Sequence, residues 1–327
     1  MNVTRTTLLD WVAQGDLDPD KLQQAIALCH SKSDKAQWLS YLKTALFWAA
    51  ILFSTFGLIF FFAFNWQDMG RFSKFALLEF VMLLSAPLLL KTITSRLLMT
   101  ASVMGVSLLT GALLALVGQT YQTGADPWQL FATWAMFIIP WVLLNKSEAI
   151  WALWIVLVNT ALYLYLKTHH GLIGIVFSEQ TNALTLVTLN TLLLVIFELS
   201  TFLRFKLFVS SSRNIQQLLA LFAAIPLTFL IIVTIFGFKT NEIHSLYYLV
   251  WITLSFYIYR HKTPDLFILS ATTLSAIIAA TSLLIFSLES NLGDGGFLLI
   301  TIFVITLSTV AAKWLKSIAI DAQKPKT

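Results

Sequence analysis

Long apolar runs, separated by short polar ones, dominate the chain from residue 44 onward. A helix needs about 20 apolar residues, within a range of roughly 17–25, to cross the hydrocarbon core of a bilayer. Ten runs read as spans: 44–64, 75–90, 97–117, 130–144, 149–166, 184–203, 218–238, 246–259, 267–286 and 297–312. The second, fourth and eighth are short, and either extend into their flanking loops or tilt less than their neighbours. The run 172–177 is too short to span and is assigned to the interface. In lipid every backbone polar group must be satisfied within its own segment, so runs of this length predict helices. The expected fold class is therefore all-α, a polytopic integral membrane protein with about ten transmembrane helices. Residues 44–312 form the membrane domain, behind a polar segment 1–43 and ahead of a tail 313–327.

The polar leader carries a helical pattern of its own. Leu8, Leu9, Trp11 and Val12 share one face, and Gly15 can end that helix in a left-handed cap. Asp18-Pro19 then supplies an N-cap followed by proline at the first helical position. Leu22, Ala25, Ile26 and Cys29 make the next apolar stripe, so a short helical hairpin is expected. About forty residues bury little core alone, so the hairpin should dock on the membrane domain, a partner or a second copy. A DNA-reading helix-turn-helix is set aside, because the second helix offers Lys21 alone and nucleic-acid affinity needs several cations. No apolar h-region precedes residue 44, so a cleaved signal peptide is not expected.

Composition reinforces the pattern. The 327 residues are 58% hydrophobic and 11% charged, against about 25% charged in soluble domains. The net charge of +5 is better explained by topology than by nucleic acid, because the cations sit between apolar runs. With the N-terminus inside, 17 of the 21 basic residues fall on the cytoplasmic side, leaving Arg71, Lys74, Lys167 and Lys239 opposite. No span contains one. An odd helix count would scramble that asymmetry, so it supports an even number of spans with both termini cytoplasmic in an inner membrane. Cys29 is the single cysteine, which excludes an internal disulfide and argues against a metal cluster.

Candidate chemistry is sparse. Ionisable groups inside spans are costly and therefore functional candidates, and there are two, Glu79 and Glu198. Glu79 can reach the interface or pair with Arg71 or Lys74; Glu198 can pair with Arg204 and Lys206. Neither lies at a midplane. Asn159 and Asn190 are expected to hydrogen-bond between helices. The stretch 118–134, GQTYQTGADPWQLFATW, concentrates polar groups between two apolar spans. Gln119, Tyr121, Gln122 and Asp126 are its candidate ligand-binding groups, and Asp126-Pro127 can equally cap the fourth span. Asn65 and Trp66, with Asp68, close the first span on the same side; Trp66 suits an interface anchor. Adjacent His169 and His170 point apart and make a poor metal site without further ligands. No phosphate loop, zinc helix, nucleophile elbow or paired CxxC occurs. No catalytic residue, metal or cofactor is therefore assigned.

The leader LLDWVAQGDLDPDKLQQAIAL, the ending FFFAFNW of the first span and the loop GQTYQTGADPWQLFATW together resemble a bacterial family of predicted membrane proteins, domain of unknown function 2157. The likeness covers about residues 5 to 145. It implies a multi-spanning bacterial membrane protein, brings no activity or catalytic residues, and implies a second membrane protein with a related polar loop as partner. Taken together, the sequence points to a non-enzymatic membrane protein that binds a small solute, lipid or partner protein through extracytoplasmic polar loops. The alternative is a secondary transporter or channel using Glu79 and Glu198.

Overall fold

In a computed structural model the described residues are 8, 11–12, 17–18, 21–22 and 25 of the leader, then 35–64, 70–85, 96–169, 179–203, 213–237, 242–288 and 294–323. From residue 35 onward they form ten α-helices, one at each expected span, and no described residue lies in a strand. They are α1 Lys35–Phe64, α2 Arg71–Ser85, α3 Arg96–Tyr121, α4 Pro127–Asn145, α5 Glu148–Thr168, α6 Glu179–Phe202, α7 Asn214–Phe236, α8 Glu242–Tyr257, α9 Leu266–Leu288 and α10 Asp294–Gln323. Seven of the ten, α3 to α7 with α9 and α10, are long and apolar enough to cross a membrane. The fourth span, read as short, reaches 19 residues because Pro127 opens its helix early. α2 and α8 are the shorter ones, at 15 and 16 residues, and α8 is continued by a π-helical turn, Ile258–Lys262.

The chain divides into two units, residues 1–88 and 89–327. In the first, Leu8, Trp11 and Val12 are helical, as are Leu22 and Ala25. The Leu17 amide closes on the Trp11 carbonyl at 3.2 Å, and the Asp18 carbonyl accepts the Lys21 amide at 3.0 Å, opening the second helix where the Asp-Pro signal puts it. Gly15 and Pro19 lie outside the described residues.

The second unit is an up-and-down bundle of α3 to α10. Alternate helix ends meet: Thr100 at the start of α3 bonds Asn145 at the end of α4 (3.1 Å), and Asn214 opening α7 bonds Glu148 opening α5 (2.7 Å). At the opposite end the Trp128 ring of α4 packs edge-on against Tyr165 of α5. α7 occupies the centre, packed against α5, α6, α8 and α9, with Leu219, Ala223 and Leu227 fully buried. α10 lies outermost and buries no part of its most apolar window, as a lipid-facing helix should. Among large apolar side chains, interior contacts also use small residues and shared polar groups. Trp134 of α4 donates to the Ser107 carbonyl of α3 at 2.6 Å, and its ring lies flat over Gly111, where a methyl group would land inside it.

Candidate functional site

Polar chemistry gathers where α6 ends and α7 and α9 begin. Asp265 stands just ahead of α9, and its Oδ1 accepts the amides of Phe267 (3.0 Å) and Ile268 (3.1 Å), which satisfies two orphan donors of the first turn. Its Oδ2 accepts the Arg213 Nε at 2.8 Å, and Gln217 reaches both oxygens at 3.2–3.3 Å. The Arg213 fork also donates Nη2 to Glu198 Oε1 at 2.5 Å. One guanidinium thus bridges two carboxylates from different helices, with the Asp265 side chain 3% exposed. Burial works against the Arg213 charge, but the hydrogen bond to Asp265 and the charge of Glu198 outweigh it and raise its pKa. The formal count is one guanidinium to two carboxylates.

Beside it opens a cavity of about 360 Å³ between α6 and α8, within the size range of small-molecule sites. Leu194, Val195, Leu254 and Ile258 give it apolar walls, and Glu198, Tyr259 and Thr263 converge at one end. The Tyr259 hydroxyl lies beside the Glu198 carboxylate, and the buried Thr263 hydroxyl has no hydrogen-bond partner among the described residues. The π-turn builds this end. Its amide from Thr263 bonds the carbonyl of Ile258 five residues back at 3.0 Å, and the wider turn seats Tyr259 inward at 4% exposure.

The residues expected from sequence are distributed as follows. α3 runs on to Tyr121, so Gln119 and Tyr121 belong to its last turn and the connection shrinks to residues 122–126. Gln122 sits in the left-handed region (φ 45°), and the Thr123 amide returns to the Gly118 carbonyl at 3.3 Å, a Schellman closure. Asp126 takes the N-cap place of α4 with Pro127 after it, yet its side chain makes no capping bond. Gln119, Tyr121, Gln122 and Asp126 are all exposed and line neither cavity described here. Asn65 and Trp66, with Asp68 and His170, lie outside the described residues. Glu79 is exposed on α2, and a spacing of five puts Lys74 roughly 140° around the helix from it. Glu198 does pair, but with Arg213; Arg204 and Lys206 lie outside the described residues. Asn159 and Asn190 meet across α5 and α6 with two reciprocal bonds, 3.0 and 2.6 Å. His169 bonds the Tyr165 carbonyl, and no group of three metal-ligating side chains occurs among the described residues.

Sequence reading passed over Arg213, Asp265 and Tyr259. Asp265 had a signal, an Asp directly before an apolar run after Thr263-Pro264. Arg213 and Tyr259 had none, because their partners are tens of residues away or turned inward by the π-turn. No curated protein and no solved structure matches the chain. Residues 9–151 match the family model described as "Predicted membrane protein (DUF2157)", the family that the leader and polar loop resemble; the match ends in α5, before the Arg213 cluster.

Proposed function

We propose that this multi-pass membrane protein is a non-enzymatic binding protein that takes an amphipathic molecule, apolar in body and cationic at its head, into the cavity between α6 and α8. One observation carries the reading: apolar walls lead to Glu198, in a cluster where two carboxylates share one guanidinium. An ammonium group there would restore the charge balance, and the tail would replace lipid or water against Leu194, Val195 and Leu254. The distribution of basic residues supports placing this end at the cytoplasmic face of a bacterial inner membrane, with both termini inside. Binding of a ten-carbon alkylammonium and of the alkylsulfonate of equal length to purified protein tests the site. Wild type should favour the ammonium, and Glu198→Gln, which leaves Arg213 paired with Asp265, should weaken it about tenfold. Equal binding of the two head groups, or indifference to Glu198→Gln, would sink the proposal.

A second reading, secondary transport, is favoured by the buried face of α8. His244, Tyr248, Trp251, Ser255 and Tyr259 follow one another along it at helical spacing. Tyr248 bonds Ser275 at 3.2 Å and Trp251 bonds Thr191 at 3.0 Å. Of the two acids expected to carry transport, Glu79 and Glu198, Glu198 is the one at the end of this line. Proton flux in proteoliposomes that Glu198→Gln abolishes would support it, and absence of flux from wild type would end it. For the polar turn, exposure of Gln119, Tyr121, Gln122 and Asp126 supports contact with head groups or a second membrane protein carrying a related loop, not an enclosed solute.

A further inference from the structure

The other side of α8 carries a second, independent feature. A groove of about 710 Å³ runs between α8, α9 and α10. Phe256, Ala276, Ala280, Leu307, Val310 and Trp314 line its length, and Arg260 and His261 stand at one end. The π-turn is what separates the two features: it sends Tyr259 into the α6–α8 cavity and the next two residues into the groove. Arg260 has no ion-pair or hydrogen-bond partner among the described residues, and His261 has a ring contact with Tyr257 at 5.7 Å. On the α10 side the groove is walled by the outermost helix, whose apolar window has no buried residue. Along α8 it extends from Thr253 to His261, roughly 12 Å at 1.5 Å per residue.

We propose that this groove holds one acyl chain of an anionic phospholipid, with the phosphate against Arg260 and His261. Charge complementarity selects the occupant. An apolar trough ending in an unneutralised guanidinium beside an imidazole fits a hydrocarbon chain that ends in a phosphate, and guanidinium is the cation best suited to that group. Small side chains at Ala276 and Ala280 keep the floor low, and Trp314 closes the wall where a ring with an apolar body and a polar tip suits the interface. Lys262, exposed and next in sequence, adds positive charge at the same end.

Purified full-length protein, delipidated and exchanged into mixed micelles of phosphatidylglycerol and phosphatidylcholine with matched chains, provides the test. Native mass spectrometry counts the lipid retained, and phosphatidylglycerol brominated on its acyl chain reports proximity by quenching tryptophan emission. Phosphatidylglycerol should be retained about fivefold or more over phosphatidylcholine, and Arg260→Gln should remove most of that preference. Quenching by the brominated lipid should fall in Trp314→Phe and in Ala280→Phe, which fills the trough. Should Ala280→Phe fail to fold, Arg260→Gln and Trp314→Phe still decide the matter. Equal retention of both lipids, a preference that survives Arg260→Gln with His261→Gln, or unchanged quenching in Trp314→Phe would each overturn the proposal. So would a stable dimer whose copies crosslink through cysteines placed at Leu307, because a second chain would then cover the groove.

Discussion

Asp265 is the residue on which most of the described polar network turns. Its carboxylate caps α9 through two backbone amides and holds Arg213 and Gln217 of the neighbouring α7 region. An aspartate almost fully removed from solvent is tolerable only when its oxygens are this well occupied, because an unpaired buried charge costs several kcal/mol. Asp265→Ala removes a cap and leaves a half-buried guanidinium with one partner in place of two. The expected loss is about 2–3 kcal/mol, read as a lower thermal midpoint in detergent. Glu198→Gln should cost less, since Arg213 keeps its better-buried partner. Arg213 itself brings no pH dependence at ordinary pH. Its pKa is raised, so its contribution is complete below the usual arginine value and is lost only as pH climbs past the higher folded value.

Beside the large apolar side chains of the core, elements meet here through small residues and shared polar atoms, because lipid gives apolar side chains little reason to leave it for one another. The α3–α4 contact shows the rule. Gly111 leaves room for the Trp134 ring, and the ring's Nε1 finds the Ser107 carbonyl one turn earlier on α3. Gly111→Ala should therefore cost about 1–3 kcal/mol by overpacking, whereas Gly105→Ala, where an added Cβ meets nothing within 4 Å, should be neutral or slightly stabilising. Parallel thermal melts of the two variants check this, and equal midpoints would contradict the packing argument. The turn from α3 to α4 follows the same economy. A run of polar residues that reads as an open loop is a five-residue connection, because the last helical turn continues through Tyr121 and the closure at Gln122 satisfies the freed carbonyls.

At the scale of the whole molecule, the charge pattern and the bundle agree on one point. Segments expected on a single side, around 96, 145–148, 213 and 258–265, do gather at one end of the second unit. That pairing fixes which ends go together, and the membrane decides which of them faces the cytoplasm. Single cysteines at Gln122 and Lys262, in a Cys29→Ser background, should separate under an impermeant maleimide applied to intact cells. Gln122→Cys should label and Lys262→Cys should not; the reverse would place the Arg213 cluster and the lipid groove on the outer face.

The sequence by itself determined the all-α class, ten helices at ten apolar runs, and the grouping of helix ends within the second unit. Those are properties of local composition: a bilayer-length apolar run has helix as its one satisfied backbone state, and loop charge is additive along the chain. It also determined the Asp18 opening of the second leader helix and the Asp126-Pro127 start of α4, since residue preferences at a helix start are local, although the Asp126 side chain makes no capping bond. Only the tertiary structure decided that Glu198 is bridged to Asp265 by Arg213, and that Asn159 faces Asn190 across two helices. The same holds for the π-turn that sends Tyr259 one way and Arg260 the other. Each depends on the rotation of one helix against another, which a run of uniformly apolar residues does not encode. Without a polar stripe to mark the inward face, the buried side of a lipid-facing helix becomes legible only once its neighbours are in place.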